Sequence, residues 1–525
     1  MSTPNNPFDP AQPEQPTQPA QPQSPLPEGA LADGQPEAKP KGRRGAVISG
    51  VVATVALLGG GGAIAAYSAL SGGGAQPESV FPSTTVAFAK VDLDPSAGQK
   101  VDAIRFIRKF PDAQAKVKED SDLRKVVFDA IKDQGGLKDV DYAKDVEPWL
   151  GERAAFGAVP GAKGEDPVPV LALAVKDKGE AEKSLPKLAK AMDGGECRVV
   201  EDFALCAEKK DQLDSFVSAT QKATLADSDN FKTDLGDLGE TGIITAWGDS
   251  AKFADLAKEA GQSAAAPGFL SGLTGGTGSV QDAGRFAMAL RFDGPNLELA
   301  GHVNDAKTSF VGSANARSIA ELPKGTLAAV TVANAGEQLK TAWPQLESTI
   351  KETAGEQQFT DGVAEAEQAL GISIPDDIVK ALGSQFSIAF GGMGADNSEI
   401  KVGLVTDGDK AVLQKLSDAA GQGMGAGGLT LKGADKNTAV ALSDSWATEL
   451  TNTHGLGDSK GFKDAVKDVD SSRVAAYVDI AGVLAAFKDE VPADVSKNLG
   501  QFSALGMTVS GEGKSGDFAL RLTTK

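Results

Sequence analysis

The two cysteines of the chain, Cys197 and Cys206, have a spacing that points to a covalent bond. They bracket strand-forming residues around Glu201 and Asp202 in the segment ECRVVEDFALCAE. A two-residue turn at these acidic residues would make the cysteines the fourth pair of a hairpin. Cα atoms at such a non-hydrogen-bonded pair lie about 4.5 Å apart, which a disulfide can just span. We predict a structural disulfide in an oxidising compartment, the alternatives being two free thiols or a longer loop.

Two short segments resemble catalytic motifs but lack their required partners. Ser184 and Lys187 match the S-x-x-K pattern of penicillin-recognising enzymes, yet the sequence has neither S-D-N nor K-T-G. The segment GEGKS (511–515) resembles the end of a phosphate-binding loop, but Thr508 stands where that loop needs its first Gly. We interpret 511–515 as a Gly-rich hairpin turn and predict no catalytic residue.

Metal-ligand spacing is absent as well. His302 and His454 have no His or Cys nearby, so we expect them to be structural or exposed. Ala143 and Lys144 occupy positions where a calcium loop needs an oxygen ligand and a Gly. The sequence therefore predicts no metal and no cofactor, although three aspartates have calcium-loop spacing: Asp139, Asp141 and Asp145.

The secondary-structure elements expected to position these residues occur in the same order in two parts of the chain. Apolar periodicity predicts strand, helix, two strands, helix and strand in 168–247, and the same order in 400–478. Further strand pairs are expected near 284–303 and 502–524. This predicts an α+β fold in which each half has an antiparallel-rich sheet, helices and a ferredoxin-like βαββαβ core.

Pairs of similar segments indicate an internal duplication. VFPSTTVAFAKVDL (80–93) matches ELPKGTLAAVTVAN (321–334), and the segment containing Leu150 matches the segment containing Leu382. Because the elements recur in the same order at a near-constant offset, we predict two ectodomain halves, 80–310 and 311–525.

The N-terminal region has the composition of a tail followed by a membrane anchor. Residues 46–70 carry no charge and as a helix would span about 37 Å, enough to cross a bilayer core of about 30 Å. Basic residues flank only the N-terminal side of this run, which places the N-terminus in the cytoplasm. We predict a disordered Pro/Gln-rich cytoplasmic tail (1–44), a single transmembrane helix (45–70) and a linker (71–79), with a cleaved signal peptide as the rival interpretation.

Prolines recur every third residue from Pro4 to Pro25, which matches the three-residue turn of polyproline II. The tail would act either as a solvated spacer, which we favour, or as a docking strip for a cytoplasmic partner.

The Pro-rich tail, the basic-flanked Gly/Ala-rich apolar segment and the opening VFPSTTVAFAKVDLDPSAGQK resemble a family of actinobacterial, single-pass membrane-anchored proteins. The extracellular region of that family is catalogued as a domain of unknown function. The resemblance implies a plasma-membrane location and an extracellular C-terminal domain, and it carries no functional residue to this chain.

The formal net charge is −20, so the surface should repel phosphate backbones, and we predict no nucleic-acid partner. The sequence predicts a non-catalytic envelope protein with a binding, sensing or scaffolding ectodomain for an unknown envelope ligand or protein. One alternative is a carrier of a lipid or other hydrophobic ligand, recognisable by a large apolar cavity. Another is an extracellular hydrolase, recognisable by a polar cleft containing carboxylates.

Overall fold

The computed structural model describes residues 74–110, 122–133, 137, 139–162, 165–192, 194–259, 284–306, 315–394, 399–424, 428–434, 436–452, 454–488, 491–492, 496–497 and 499–525. Mixed helices and antiparallel sheet make up this part of the chain, as the sequence predicted. The expected tail and transmembrane helix (1–44 and 45–70) lie outside the described residues. Among the residues described, none of the helices combines the length and hydrophobicity that a bilayer crossing requires.

Thirteen α-helices are found in the described residues. They are α1 (Ala97–Ile107), α2 (Leu123–Asp133), α3 (Lys178–Ala191), α4 (Lys210–Thr220), α5 (Asp229–Leu238), α6 (Ser250–Glu259), α7 (Ala335–Ala354), α8 (Glu356–Leu370), α9 (Asp376–Leu382), α10 (Lys410–Met424), α11 (Asp444–Asn452), α12 (Lys460–Ala465) and α13 (Ile480–Ala486).

The same residues contain sixteen strands. They are β1 (Ala87–Asp92), β2 (Leu150–Val159), β3 (Val168–Val175), β4 (Glu196–Val200), β5 (Phe203–Ala207), β6 (Ile244–Asp249), β7 (Arg285–Asp293), β8 (Asn296–Asn304), β9 (Ala328–Ala333), β10 (Gln385–Met393), β11 (Ile400–Thr406), β12 (Thr430–Ala434), β13 (Asn437–Ala441), β14 (Ser472–Asp479), β15 (Phe502–Glu512) and β16 (Ser515–Thr524).

All sixteen strands form one antiparallel sheet whose order reads alike from both ends. From one edge inward the order is β4-β5-β3-β2-β1-β6-β7-β8, and from the other edge it is β12-β13-β11-β10-β9-β14-β15-β16. The two series meet where β8 pairs with β16. Each strand of the first series therefore has a positional counterpart in the second.

Backbone hydrogen bonds outside the strands are repeated in the two halves as well. The N–H of Leu225 donates to Phe81 O at 2.7 Å, and that of Leu456 donates to Leu322 O at 2.9 Å. The strand registers agree as well. Ala87 of β1 pairs with the residue of β2 that lies eight positions after Leu150. In the second half, Ala328 of β9 pairs with the residue of β10 that lies eight positions after Leu382. Leu150 begins β2 whereas Leu382 ends α9, so the matched leucines occupy equivalent register positions in different secondary structure.

The ferredoxin-like arrangement is found only in part. Strands β3, β5 and β4 lie in the order of the first, third and second strands of that motif. Its fourth strand, β6, should neighbour β3 but is separated from it by β1 and β2. The order of elements along a chain does not fix which strands pair, and here β1 and β2 occupy the place beside β3.

Alternate residues of each strand point to opposite faces of the sheet. Face A, which contains Phe88 and Trp247, packs under α4 and α5 in the first half and under α11 and α12 in the second. Aromatic rings on face A of the first half meet edge to face, with centroids 5.2–5.8 Å apart. Face B, which contains Val91 and Ile244, is covered mainly towards its two ends, by α2 and α3 and by α9 and α10.

Helix α1 covers part of the centre of face B. Phe106 of α1 is buried, and its ring centroid lies 5.4 Å from that of Phe292 on β7. The corresponding helix of the second half, α7, packs instead on α8 and α9. The two halves therefore differ in how their face B is covered.

Candidate functional site

The cysteine hairpin has the predicted register. Val200 pairs with Phe203, and Cys197 pairs with Cys206 across a turn in which Glu201 has a φ of 51°. The cysteines form a disulfide with Cα atoms 4.2 Å apart. The bond joins β5 to the edge strand β4 and lies against the core beneath α3.

The rejected motifs have structural roles. Residues 511–515 span the hairpin end of β15 and β16, and Gly513, with a φ of 59°, and Lys514 form the turn. Lys187 is on α3 and pairs with Asp145. Asp141 accepts the N–H of Lys144 at 3.0 Å and starts the short π-helix Tyr142–Val146. Among the described residues no cluster of three His, Cys, Asp or Glu side chains could hold a metal ion.

A groove of about 740 Å³ opens on face B, over the first half and the adjoining strands β16 and β15, and is lined mainly by apolar side chains. We call it the apolar groove. Its floor runs from β3 across the sheet to β15, and Phe128, Trp149, Leu188 and Met192 line one side. The floor residues are Leu171, Leu173, Ala154, Phe156, Ala87, Ala89, Val91, Ile244, Ala246, Phe286, Met288, Leu290, Leu297, Leu299, Leu520, Leu522 and Leu505.

Small residues in the middle of the floor leave this space unfilled. Ala89 lies directly opposite Ala246 on β6, while larger apolar residues such as Leu173 and Leu290 stand to either side. A close-packed core would fill such a hollow, since unfilled apolar space forfeits dispersion contacts. Its volume falls within the range of small-molecule sites. The sequence did not reveal the groove, because its lining comes from strands far apart in the chain.

One charged residue at the edge of the groove, Arg124, is held by a carboxylate. Arg124 donates to Asp122 Oδ2 at 2.7 Å. Burial opposes ionisation of Asp122, but hydrogen bonds from Arg124 and Tyr142 outweigh it and lower the pKa of Asp122. This fixed ion pair gives one edge of the otherwise apolar groove a polar border.

A hydroxyl, an imidazole and a carboxylate adjoin on face A at the junction of β8 and β16. Ser515 Oγ lies 3.2 Å from His302 Nε2, and His302 Nδ1 lies 2.6 Å from Asp517 Oδ1. Ser515 also donates to Asn304 Oδ1 at 3.1 Å, and the Asp517 side chain is 60% exposed. We term Ser515, His302 and Asp517 the Ser515 cluster. Sequence reasoning missed it because strand pairing alone brings His302 to residues more than two hundred positions away.

Residues 47–199 match a protein family described as a protein of unknown function, DUF3352. The match covers less than a third of the chain and begins within the apolar segment 46–70. No curated protein and no solved structure matches the chain.

Proposed function

We propose that the folded domain binds a lipid or another apolar ligand in the apolar groove. The observation that carries this proposal is a groove of about 740 Å³ with an almost wholly apolar floor. Of the functions that the sequence suggests, a binding ectodomain and a hydrophobic-ligand carrier both fit an apolar groove, whereas a hydrolase requires a polar cleft with carboxylates.

The hydrophobic effect would supply the binding energy. Removing apolar surface from water contributes about 25 cal/mol per Å², so burying about 200 Å² would give roughly 5 kcal/mol before the entropic cost of association. The ion pair of Arg124 with Asp122 lies at one edge and would contact a polar head group while the hydrocarbon part covers the floor.

Filling the groove tests the proposal. Ala89 faces the groove from β1, and Ala89→Trp should weaken binding of a fluorescent fatty acid by about tenfold or more. Ala364→Trp is the matched control, because Ala364 is exposed on α8. Both variants should unfold at temperatures close to the wild type. Equal affinities for the wild type and Ala89→Trp would refute binding in the groove.

We also propose that this domain lies outside the cell, held by a membrane helix at 45–70. The uncharged run and its basic N-terminal flank support this arrangement. Protease added to intact cells should then digest a C-terminal tag and spare an N-terminal one. A protected C-terminal tag would contradict the topology.

A duplication of an ancestral half is our proposal for the origin of the sheet. It is supported by the mirrored strand order and by the repeated hydrogen bonds of Leu225 and Leu456. The halves would meet near residue 310.

A second candidate function, hydrolysis of an ester, is favoured by the Ser515 cluster. A serine next to a histidine that is oriented by a carboxylate is the arrangement of nucleophilic hydrolases. Ser515 lines a cleft of about 420 Å³ together with Ser471. A fluorophosphonate probe should label the wild type and the control Ser471→Ala but not Ser515→Ala. An unlabelled wild type would remove this candidate.

A further inference from the structure

The register of the sheet places one apolar residue of every strand in a single line on face B. Each member lies directly opposite the next, so all sixteen share that face. We call this line the apolar row. From edge to edge it consists of Val199, Ala204, Leu173, Ala154, Val91, Ile244, Leu290, Leu299, Leu520, Met507, Ala476, Val330, Ile388, Leu404, Val440 and Leu431.

The apolar groove occupies only part of this row. Beyond β15 the row continues through Ala476 on β14 to Val330 and Ile388, which lie opposite each other on β9 and β10. Val330 is 42% exposed and Ile388 48% exposed. Large apolar side chains in the middle of a sheet are normally covered, so this exposed pair extends the apolar surface beyond the groove.

Val330 and Ile388 also occupy the positions of two groove residues. Strand β9 pairs with β10 in the same register as β1 pairs with β2. Aligning the two pairs of strands puts Val330 at the position of Ala89 and Ile388 at the position of Phe156. Ala89 and Phe156 lie opposite each other and line the groove. Helix α1 packs over β7 and β8 beside the groove, whereas its counterpart α7 turns to α8 and α9. The second half thus repeats the groove floor without a counterpart of α1 above it, although Phe487, which follows α13, stacks on Phe390 at the end of the same face.

We propose that the apolar groove and the Val330–Ile388 surface form one continuous track, which takes a lipid with a hydrocarbon chain longer than an ordinary acyl chain. This inference rests on the proposed function. Ten strand spacings separate β3 from β10, which at about 4.8 Å each amount to about 48 Å. An ordinary acyl chain spans about half of a 30 Å bilayer core, or about 15 Å. Such a chain would contact the groove alone, whereas one about twice as long, about 30 Å, would reach Ile388 from β7, which is six strand spacings or about 29 Å away.

The test compares palmitate with its much longer homologue melissate, offered in phosphatidylcholine vesicles to the full chain. Melissate should bind more tightly than palmitate. The double variant Val330→Thr/Ile388→Thr keeps β-branched side chains but adds hydroxyls, and it should weaken melissate binding about tenfold while leaving palmitate unchanged. The control Val101→Thr/Ile350→Thr makes the same changes at residues of similar exposure on α1 and α7 and should alter neither affinity.

The outcomes separate this inference from the function on which it rests. Palmitate binding that Ala89→Trp abolishes, with melissate no tighter and the double variant unaltered, would overturn the continuous track and leave the groove as the binding site. Two palmitates bound independently, with no gain for melissate, would overturn the track as well. If neither fatty acid binds, the proposed function and the track both fail.

Discussion

The disulfide between Cys197 and Cys206 attaches the edge strand β4 to β5. At the corresponding position of the second half, Leu431 lies directly opposite Val440. An apolar pair therefore replaces the covalent bond there, which shows that this hairpin architecture can form without a disulfide. In the first half the bond closes a short loop and restricts the unfolded chain.

Removing the disulfide should destabilise the first half without abolishing its fold. We expect Cys197→Ser/Cys206→Ser to lower the free energy of unfolding by about 2–3 kcal/mol, measured by denaturant titration under non-reducing conditions. Adding reductant to the wild type should produce a similar loss and leave the variant unchanged. Two thiols free to alkylation in the native protein would contradict the bond and weaken the extracellular assignment.

At the scale of elements, the position of α1 distinguishes the two halves. Its buried Phe106 packs against Phe110 and Phe292, with ring centroids 4.9 and 5.4 Å apart. This contact holds α1 against face B beside the groove, whereas α7 lacks an equivalent attachment. One aromatic side chain thus helps to decide how much of the sheet face stays open.

Truncating that side chain should loosen α1. We expect Phe106→Ala to lower the free energy of unfolding by about 3 kcal/mol, because it removes a buried ring and leaves a cavity. Val101→Ala on the same helix is the control, since Val101 is 47% exposed, and it should cost well under 1 kcal/mol. Similar losses in the two variants would show that Phe106 does not anchor the helix.

At the scale of the whole molecule, charges reinforce the junction where β8 meets β16. Glu298 and Arg521 are buried and form an ion pair across it. Asp293, at the end of β7, pairs with Lys467 of the second half at 2.5 Å. Burial opposes ionisation of Asp293, but the hydrogen bond from Lys467 outweighs it, so the pKa of Asp293 is lowered. Both pairs connect residues from opposite halves of the chain.

The lowered pKa makes the junction sensitive to acid. Ionised Asp293 stabilises the folded state at pH values above its ordinary pKa, and this stabilisation disappears as the pH falls through the lowered value. Asp293→Asn should therefore be less stable than the wild type at neutral pH and equally stable in strong acid. Denaturant titrations across that range measure the difference, with Asp470→Asn correcting for the loss of one exposed charge. A difference in stability between Asp293→Asn and the wild type that does not change with pH would exclude the Asp293–Lys467 ion pair.

Local signals in the sequence accounted for the elements and for the cysteine hairpin. Apolar alternation identified strands such as β3 and β5, and a two-residue turn at Glu201 and Asp202 fixed the pairing of Cys197 with Cys206. Both depend on interactions between residues close in the chain, where backbone geometry leaves few choices. The repeated order of elements predicted from the sequence rests on the same local signals.

Only the tertiary structure decided which strands are neighbours and which surface stays open. The chain order suggested β6 beside β3, yet β1 and β2 lie between them. The apolar groove and the Ser515 cluster both arise from pairings between distant strands, and a groove residue such as Ala246 has the same local pattern as a core residue. Exposure depends on what packs above a strand, so Val330 and Ile388 were indistinguishable from buried residues until the position of α7 was known.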